Sequence, residues 1–234
     1  MNNLDYVFQV IYVSLAIATF LLNTVRALKA IEVCKECLIL LNNEVVRKKD
    51  EFVFLLRTAI YQKIFTAYCL IPDYTNAIKH GNQLLDIYHE RGKTGEDEGI
   101  LLIRLAMIYE KLFKYVEAEK LYEKAISITT EIGDRKGEAI AYGNLGVMFL
   151  SLGGYDKAKE YLWKALAITI EIRDRPGEGN WYGNLGTVCL SLGEYGKAKE
   201  YVEKALAIKI EIGDKKGEAR DYGNLGNVFL SRGE

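Results

Sequence analysis

Cys34 and Cys37 form a Cys-x-x-Cys pair, the spacing with which a protein holds half of a zinc site. The other half is missing. Cys69 and Cys189 stand alone, and both residues of the pair fall on an apolar helical stripe, where cysteine serves as a small buried side chain. His80 and His89 lie nine residues apart on a polar helical stretch with no cysteine or carboxylate at ligand spacing, and are expected to be solvated. "GNLG" has the glycines of a phosphate-cradling loop, but no Gly-Lys-Ser/Thr follows it and it falls inside a helical pattern. No nucleophile and base share a recognisable spacing. These residues predict no metal, no cofactor and no enzyme.

One polar residue type does recur in register. "YGNLG" begins at Tyr142, Tyr182 and Tyr222, so Asn144, Asn184 and Asn224 stand forty residues apart. A side-chain amide both donates and accepts, and can bond the backbone of an extended peptide whatever its sequence. A ladder of such amides would clamp a segment lying along it. A solvated or inter-repeat hydrogen-bonding role is the competing reading. Which one applies depends on the elements that carry the amides.

Those elements are helices. A period of forty lies in the range that marks a solenoid or array. In the block 142–181, Tyr142, Leu145, Gly146 and Phe149 share one face of a first helix at 100° per residue. Ala158, Tyr161, Leu162, Ala165, Ile168 and Ile172 form the apolar stripe of a second. Gly146 and the two alanines are small, which allows close antiparallel packing. "LGGY" and "LGEY" supply the glycine that stops the first helix, and Gly133 followed by Asp134 supplies a stop and then an N-cap. Pro176 falls within a first turn, where proline is tolerated, and the chain has only one other proline.

With Tyr142, Leu145, Gly146 and Phe149 buried, Asn144 points away from its own hairpin, together with Ile140, Val147 and Ser151. First helices build the inner wall of a solenoid. The expected concave site is therefore Asn144, Asn184 and Asn224, with Thr187 and Asn227 one turn on and Asn180 and Arg220 one turn before. Arg104 takes the asparagine's place in the block at Leu102, and Trp181 stands at the groove edge. Trp163 replaces Glu123 and Glu203 on the outward face. The first glycine of the motif, Gly143, is expected to keep the groove floor low.

Tyr142, Leu145, Gly146, Phe149, Gly153, Tyr155, Ala158 and Ala165 resemble, residue by residue, the pattern of the tetratricopeptide repeat. Tyr182, Leu185, Gly186, Gly193, Tyr195, Ala198 and Ala205 repeat it, with Cys189 in place of the second aromatic. The block at Leu102 departs further, with Ala106 for the glycine and Phe113 at the turn glycine. The forty-residue form is similar to that of the LGN/Pins class of spindle-orientation adaptors, and more distantly to kinesin light chains. The resemblance implies an all-α, right-handed superhelical solenoid of antiparallel helix pairs that binds partner peptides in its groove. LGN-type proteins often carry an arginine one turn before the asparagine and use it on acidic peptides. Here Ile140, Asn180 and Arg220 occupy that place.

The expected organisation is a hydrophobic helix and degenerate first unit over 1–60, then an array over 61–234. Within the array, 61–101 is degenerate, 102–141, 142–181 and 182–221 are full units, and 222–234 is a partial one. The last first-helix lacks its partner, so a fragment of a longer array, or self-association at that end, is expected. Net charge is −1 with lysine and glutamate interspersed, which gives no basic stripe for nucleic acid. Four cysteines are too few for a disulfide scaffold, so a cytoplasmic setting is expected. Tyr6–Val25 carries no charge and reads as a buried helix, a signal or a membrane anchor. The functional reading is a non-catalytic adaptor for other proteins. The alternatives are a membrane-tethered form of it, or the sensor arm of a larger enzyme or NTPase.

Overall fold

The computed structural model describes residues 3–42, 50–90 and 95–233. These form eleven α-helices and no strand among the described residues. The chain divides into two compact units, 1–94 and 95–234.

The first unit contains α1 (Asn3–Asn23), α2 (Ala27–Leu41), α3 (Asp50–Leu70) and α4 (Tyr74–Glu90). Each packs mainly on its sequence neighbour. Phe8, Ile11, Leu15, Ala18 and Leu21 turn one side of α1 inward, and Phe8 meets Phe52 edge-on at 4.6 Å between ring centroids. Ala30, Cys34 and Cys37 are buried on α2, as their place on the apolar stripe requires. The boundary expected at 60/61 falls inside α3. His80 departs from its expected solvation: it is half-buried and stacked on Tyr68, with ring centroids 5.3 Å apart and an interplanar angle of 4°. Burial lowers its pKa, because the charged imidazolium loses water there.

The second unit contains α5 (Glu96–Lys111), α6 (Tyr115–Glu131), α7 (Arg135–Ser151), α8 (Tyr155–Glu171), α9 (Arg175–Ser191), α10 (Tyr195–Glu211) and α11 (Lys215–Arg232). α5 pairs with α6, α7 with α8 and α9 with α10. The small residues set the approach. A Cβ on Gly146 would fall 2.8 Å from Leu162 Cγ, and one on Gly186 would fall 2.5 Å from Val202 Cγ2. Tyr161 stacks between Tyr142 (6.2 Å) and Phe149 (5.6 Å), and Tyr201 stacks on Tyr182 (6.1 Å).

The hairpin turns close by hydrogen bonds that only a left-handed residue permits. Gly153 has φ +75°; its N–H donates to the Leu150 carbonyl at 3.1 Å and the Gly154 N–H donates to the Phe149 carbonyl at 2.9 Å. Between hairpins, Gly133 does the same with φ +73°. Asp134 then caps α7 by accepting from the Gly137 N–H at 2.9 Å. Asp174 and Asp214 cap α9 and α11 in the same way. Phe113 and Arg173 replace turn glycines yet keep left-handed backbones, each at φ 58°.

Candidate functional site

Helices α5, α7, α9 and α11 touch one another in sequence order and form one row of the second unit. On α7 the packing face belongs to Leu145, Gly146 and Phe149, all buried. Asn144 is half-buried on another side of the helix, and Asn184 and Asn224 have the same exposure class. None of the three side chains makes a hydrogen bond within the described residues. Asn144 lines a hollow of about 190 Å³ with Met107, Glu110 and Lys111 of α5, Tyr122 of α6 and Val147 of α7. Its floor is fixed: Tyr122 is buried and donates its hydroxyl to the Glu110 carboxylate in a short bond. Burial and the Glu110 charge push the Tyr122 pKa up, and burial also raises that of Glu110. The phenol therefore stays a donor across the physiological range.

A second hollow, of about 440 Å³, is lined by Asn180, Asp214, Lys216, Gly217 and Arg220. It unites two of the expected residues, Asn180 and Arg220. Asn180 is already engaged, because its Oδ1 accepts from Lys209 Nζ at 2.6 Å. Lys209 is only 2% exposed and also pairs with Asp214 at 3.2 Å. It stands where Thr129 and Thr169 return their hydroxyls to carbonyls of their own helices. Arg220 is exposed and reaches Asp221 at 3.4 Å. Asp221 is fully buried, and its Oδ2 has no partner among the described residues.

The remaining expected residues are placed as follows. Thr187 is half-buried and donates to the Gly183 carbonyl of its own helix at 3.2 Å. Asn227 is exposed on α11 and Arg104 is half-buried on α5. Trp181 is corrected: it is buried, and its indole lies against Gly143 where a Cβ would otherwise stand. Gly143 thus seats the tryptophan of the next hairpin. Trp163 is exposed and meets Tyr201 edge-on at 5.9 Å, so it bridges α8 and α10. Sequence reasoning passed over Met107, Glu110, Lys209 and Asp221. A lysine in the Thr129/Thr169 register, on a buried stripe, was the available signal for Lys209.

Four overlapping stretches, 66–131, 97–171, 137–211 and 178–234, match the tetratricopeptide repeat family model. The chain belongs to that family, and its fold is that of an all-α tetratricopeptide solenoid. Among solved structures it is similar to BtubC from P. vanneervenii, at 23% identity over 91% of this chain and 93% of that one, with a TM-score of 0.64. A STAND signal-transduction ATPase with a tetratricopeptide repeat sensor, from Pyrococcus horikoshii, matches at 20% identity and a TM-score of 0.80. That match covers 96% of this chain and 34% of the ATPase. Aspartyl phosphate phosphatase F from Bacillus subtilis matches at 19% identity and a TM-score of 0.74, over 96% of this chain and 60% of the phosphatase. At these identities the likeness is one of fold. A search of curated protein sequences gives no match.

Proposed function

We propose that the chain is a non-catalytic interaction scaffold that takes a peptide segment of another protein along the inner row of α5, α7, α9 and α11. The observation that carries this reading is the set of three amides in one register, each half-buried and each without a hydrogen bond among the described residues. A side-chain amide with both functions unused is a ready partner for a peptide backbone. The Asn144 hollow adds a place for an apolar side chain beside it. The forty-residue spacing supports an LGN/Pins-like subtype, and Arg220 supports a preference for an acidic residue near α11. The reading places the protein in the cytoplasm and requires no cofactor. The test is affinity capture with the wild type beside Asn144→Ala/Asn184→Ala/Asn224→Ala. Loss of bound proteins with circular dichroism unchanged supports the groove; identical captured proteins sink it.

The outer side of α1 favours a second reading, attachment to a membrane. Tyr6, Tyr12, Val13, Ile17 and Phe20 are exposed there, and α1 is long and apolar enough to cross a bilayer. Flotation with phosphatidylcholine vesicles tests it. A chain that stays at the bottom of the gradient rules this reading out and leaves the groove untouched.

A further inference from the structure

The hairpin of α5 and α6 departs from its sisters at two linked positions. In the forty-residue register of Tyr122, the later second helices carry Leu162 and Val202. In the register of Glu110, the later first helices carry Leu150 and Leu190. Apolar side chains thus serve two hairpins, and a phenol and a carboxylate serve the third. Tyr122 is buried and donates its hydroxyl to Glu110 Oε1. Taking a carboxylate out of water is costly, and one bond from a neutral phenol does not offset its charge. Packing therefore gives no reason for Glu110.

The carboxylate is also uncompensated. Glu110 is half-buried and forms no ion pair among the described residues, where Tyr122 is its one hydrogen-bond partner. Burial raises its pKa, and only the Tyr122 hydrogen bond opposes the shift. Glu110 faces the hollow of about 190 Å³ that it lines with Met107, Asn144 and Val147. Met107 is 43% exposed and Val147 half-buried, so the wall beside the charge is apolar and accessible. Lys111, next along α5, lines the hollow too but makes no ion pair with Glu110.

An apolar wall beside an unpaired, partly desolvated carboxylate suits an ammonium on a four-carbon stem. Tyr122 occupies one carboxylate oxygen, which leaves Oε2 for a single charge-assisted bond. That disfavours a guanidinium, whose fork uses both oxygens. Asn144 Oδ1 can accept a second hydrogen of the ammonium. We propose that the hollow is a lysine site, which takes a lysine of the bound segment with its stem against Met107 and Val147 and its ammonium on Glu110 and Asn144. The proposal rests on the groove reading, because the lysine arrives on the peptide held along α5, α7, α9 and α11.

A phage-displayed library of random dodecapeptides, selected on the full chain, supplies the probe. The selected peptides are expected to share a lysine. The tightest is synthesised with fluorescein and titrated by anisotropy, beside a copy with norleucine for that lysine, which keeps the stem and removes the charge. The lysine peptide should bind the wild type about tenfold or more tighter, the scale of one charge-assisted hydrogen bond. Glu110→Gln still accepts from Tyr122, so it keeps the fold, and it should erase that preference. Glu110→Leu/Tyr122→Leu copies Leu150 and Leu162 and should erase it as well, which covers a failure of the first variant to fold. Asn184→Ala/Asn224→Ala lies outside the hollow and should weaken both peptides alike. If it weakens neither while the lysine preference holds, the amide ladder falls and the lysine site stands. The lysine site is overturned by selected peptides that share no lysine, or by equal affinity for the two peptides. It is also overturned by a preference that survives in the Glu110 variants with circular dichroism unchanged. A shared arginine in its place gives the hollow to a guanidinium and overturns the assignment. A selection that yields no binding peptide overturns both readings.

Discussion

Trp181 of α9 rests its indole against Gly143 of α7, in space that any side chain at position 143 would claim. The contact joins consecutive hairpins and gives the first glycine of "YGNLG" a packing reason. It also divides three glycines that the sequence presents as equivalent. A Cβ on Gly183 would meet Asp221 Oδ1 at 3.3 Å, and one on Gly223 would meet nothing within 4 Å.

Gly143→Ala is therefore expected to destabilise by about 1–3 kcal/mol, the cost of overpacking a close-fitted site. Gly223→Ala is expected to stabilise by up to about 1 kcal/mol, because alanine is the better helix residue and its methyl enters open space. Urea denaturation of the two variants checks the opposite signs. In a Trp181→Ala background the penalty at position 143 disappears, which identifies the indole as its cause.

Arg173 and Phe113 hold left-handed backbones where sister turns use Gly133, Gly213, Gly153 and Gly193. For a residue with a Cβ this region costs about 1–2 kcal/mol, part of which glycine gives back as unfolded-chain entropy. Arg173→Gly should raise the urea midpoint by an amount worth up to about 1 kcal/mol, with the denaturant slope unchanged. Phe113, which is 79% exposed and so contributes little burial, should respond in the same direction.

The repeat frame was legible because its signals are local and redundant. Asp134, Asp174 and Asp214 cap where glycine-then-aspartate predicts, and Leu145, Gly146 and Ala158 occupy the expected packing face. What escaped depends on contacts between distant positions. The sequence alone leaves the indole of Trp181 at the groove edge because its seat, Gly143, belongs to the preceding hairpin. His80 read as solvated because the Tyr68 ring that covers it lies on a different helix. Lys209 broke the Thr129/Thr169 register without an obvious partner, since Asn180 becomes its acceptor only when α9 and α10 pair. The hollow beside Asn144 likewise needs Met107 and Glu110 from the previous hairpin.

Asp221 is expected to be a cost to the fold at neutral pH. It is fully buried, Oδ2 lacks a partner, and Arg220 reaches only the other oxygen. Burial raises its pKa above the ordinary 3.8, against the opposing pull of Arg220 and Lys209. The folded state then holds the proton more tightly than the unfolded chain, so stability falls as pH rises from the ordinary value through the raised one. Asp221→Ala, which copies Ala141, should be more stable than the wild type at pH 7 by about 1 kcal/mol. The advantage should shrink as pH falls toward the ordinary carboxylate value, where the buried acid is neutral. Melting curves of both proteins across that range decide it; a constant difference would count against the buried charge.

Thiol reactivity follows burial in this chain. Desolvation pushes Cys34 up to about 12, and Cys37 and Cys189 are also raised, chiefly by burial. A thiol in that state is almost wholly protonated at pH 8, and the thiolate is the nucleophile. Cys69 is half-buried, the others buried. Titration of the native protein with a chromogenic disulfide at pH 8 should therefore show one faster thiol, removed by Cys69→Ser, while Cys34, Cys37 and Cys189 react only in urea. Added zinc should protect none of them and leave the melting temperature unchanged, because Cys34 and Cys37 have no third or fourth ligand within reach among the described residues. Rapid modification of Cys34 or Cys37 in the folded chain would mean that α2 opens from its packing on α1 and α3, and that the first unit is less tightly closed than its buried stripe implies.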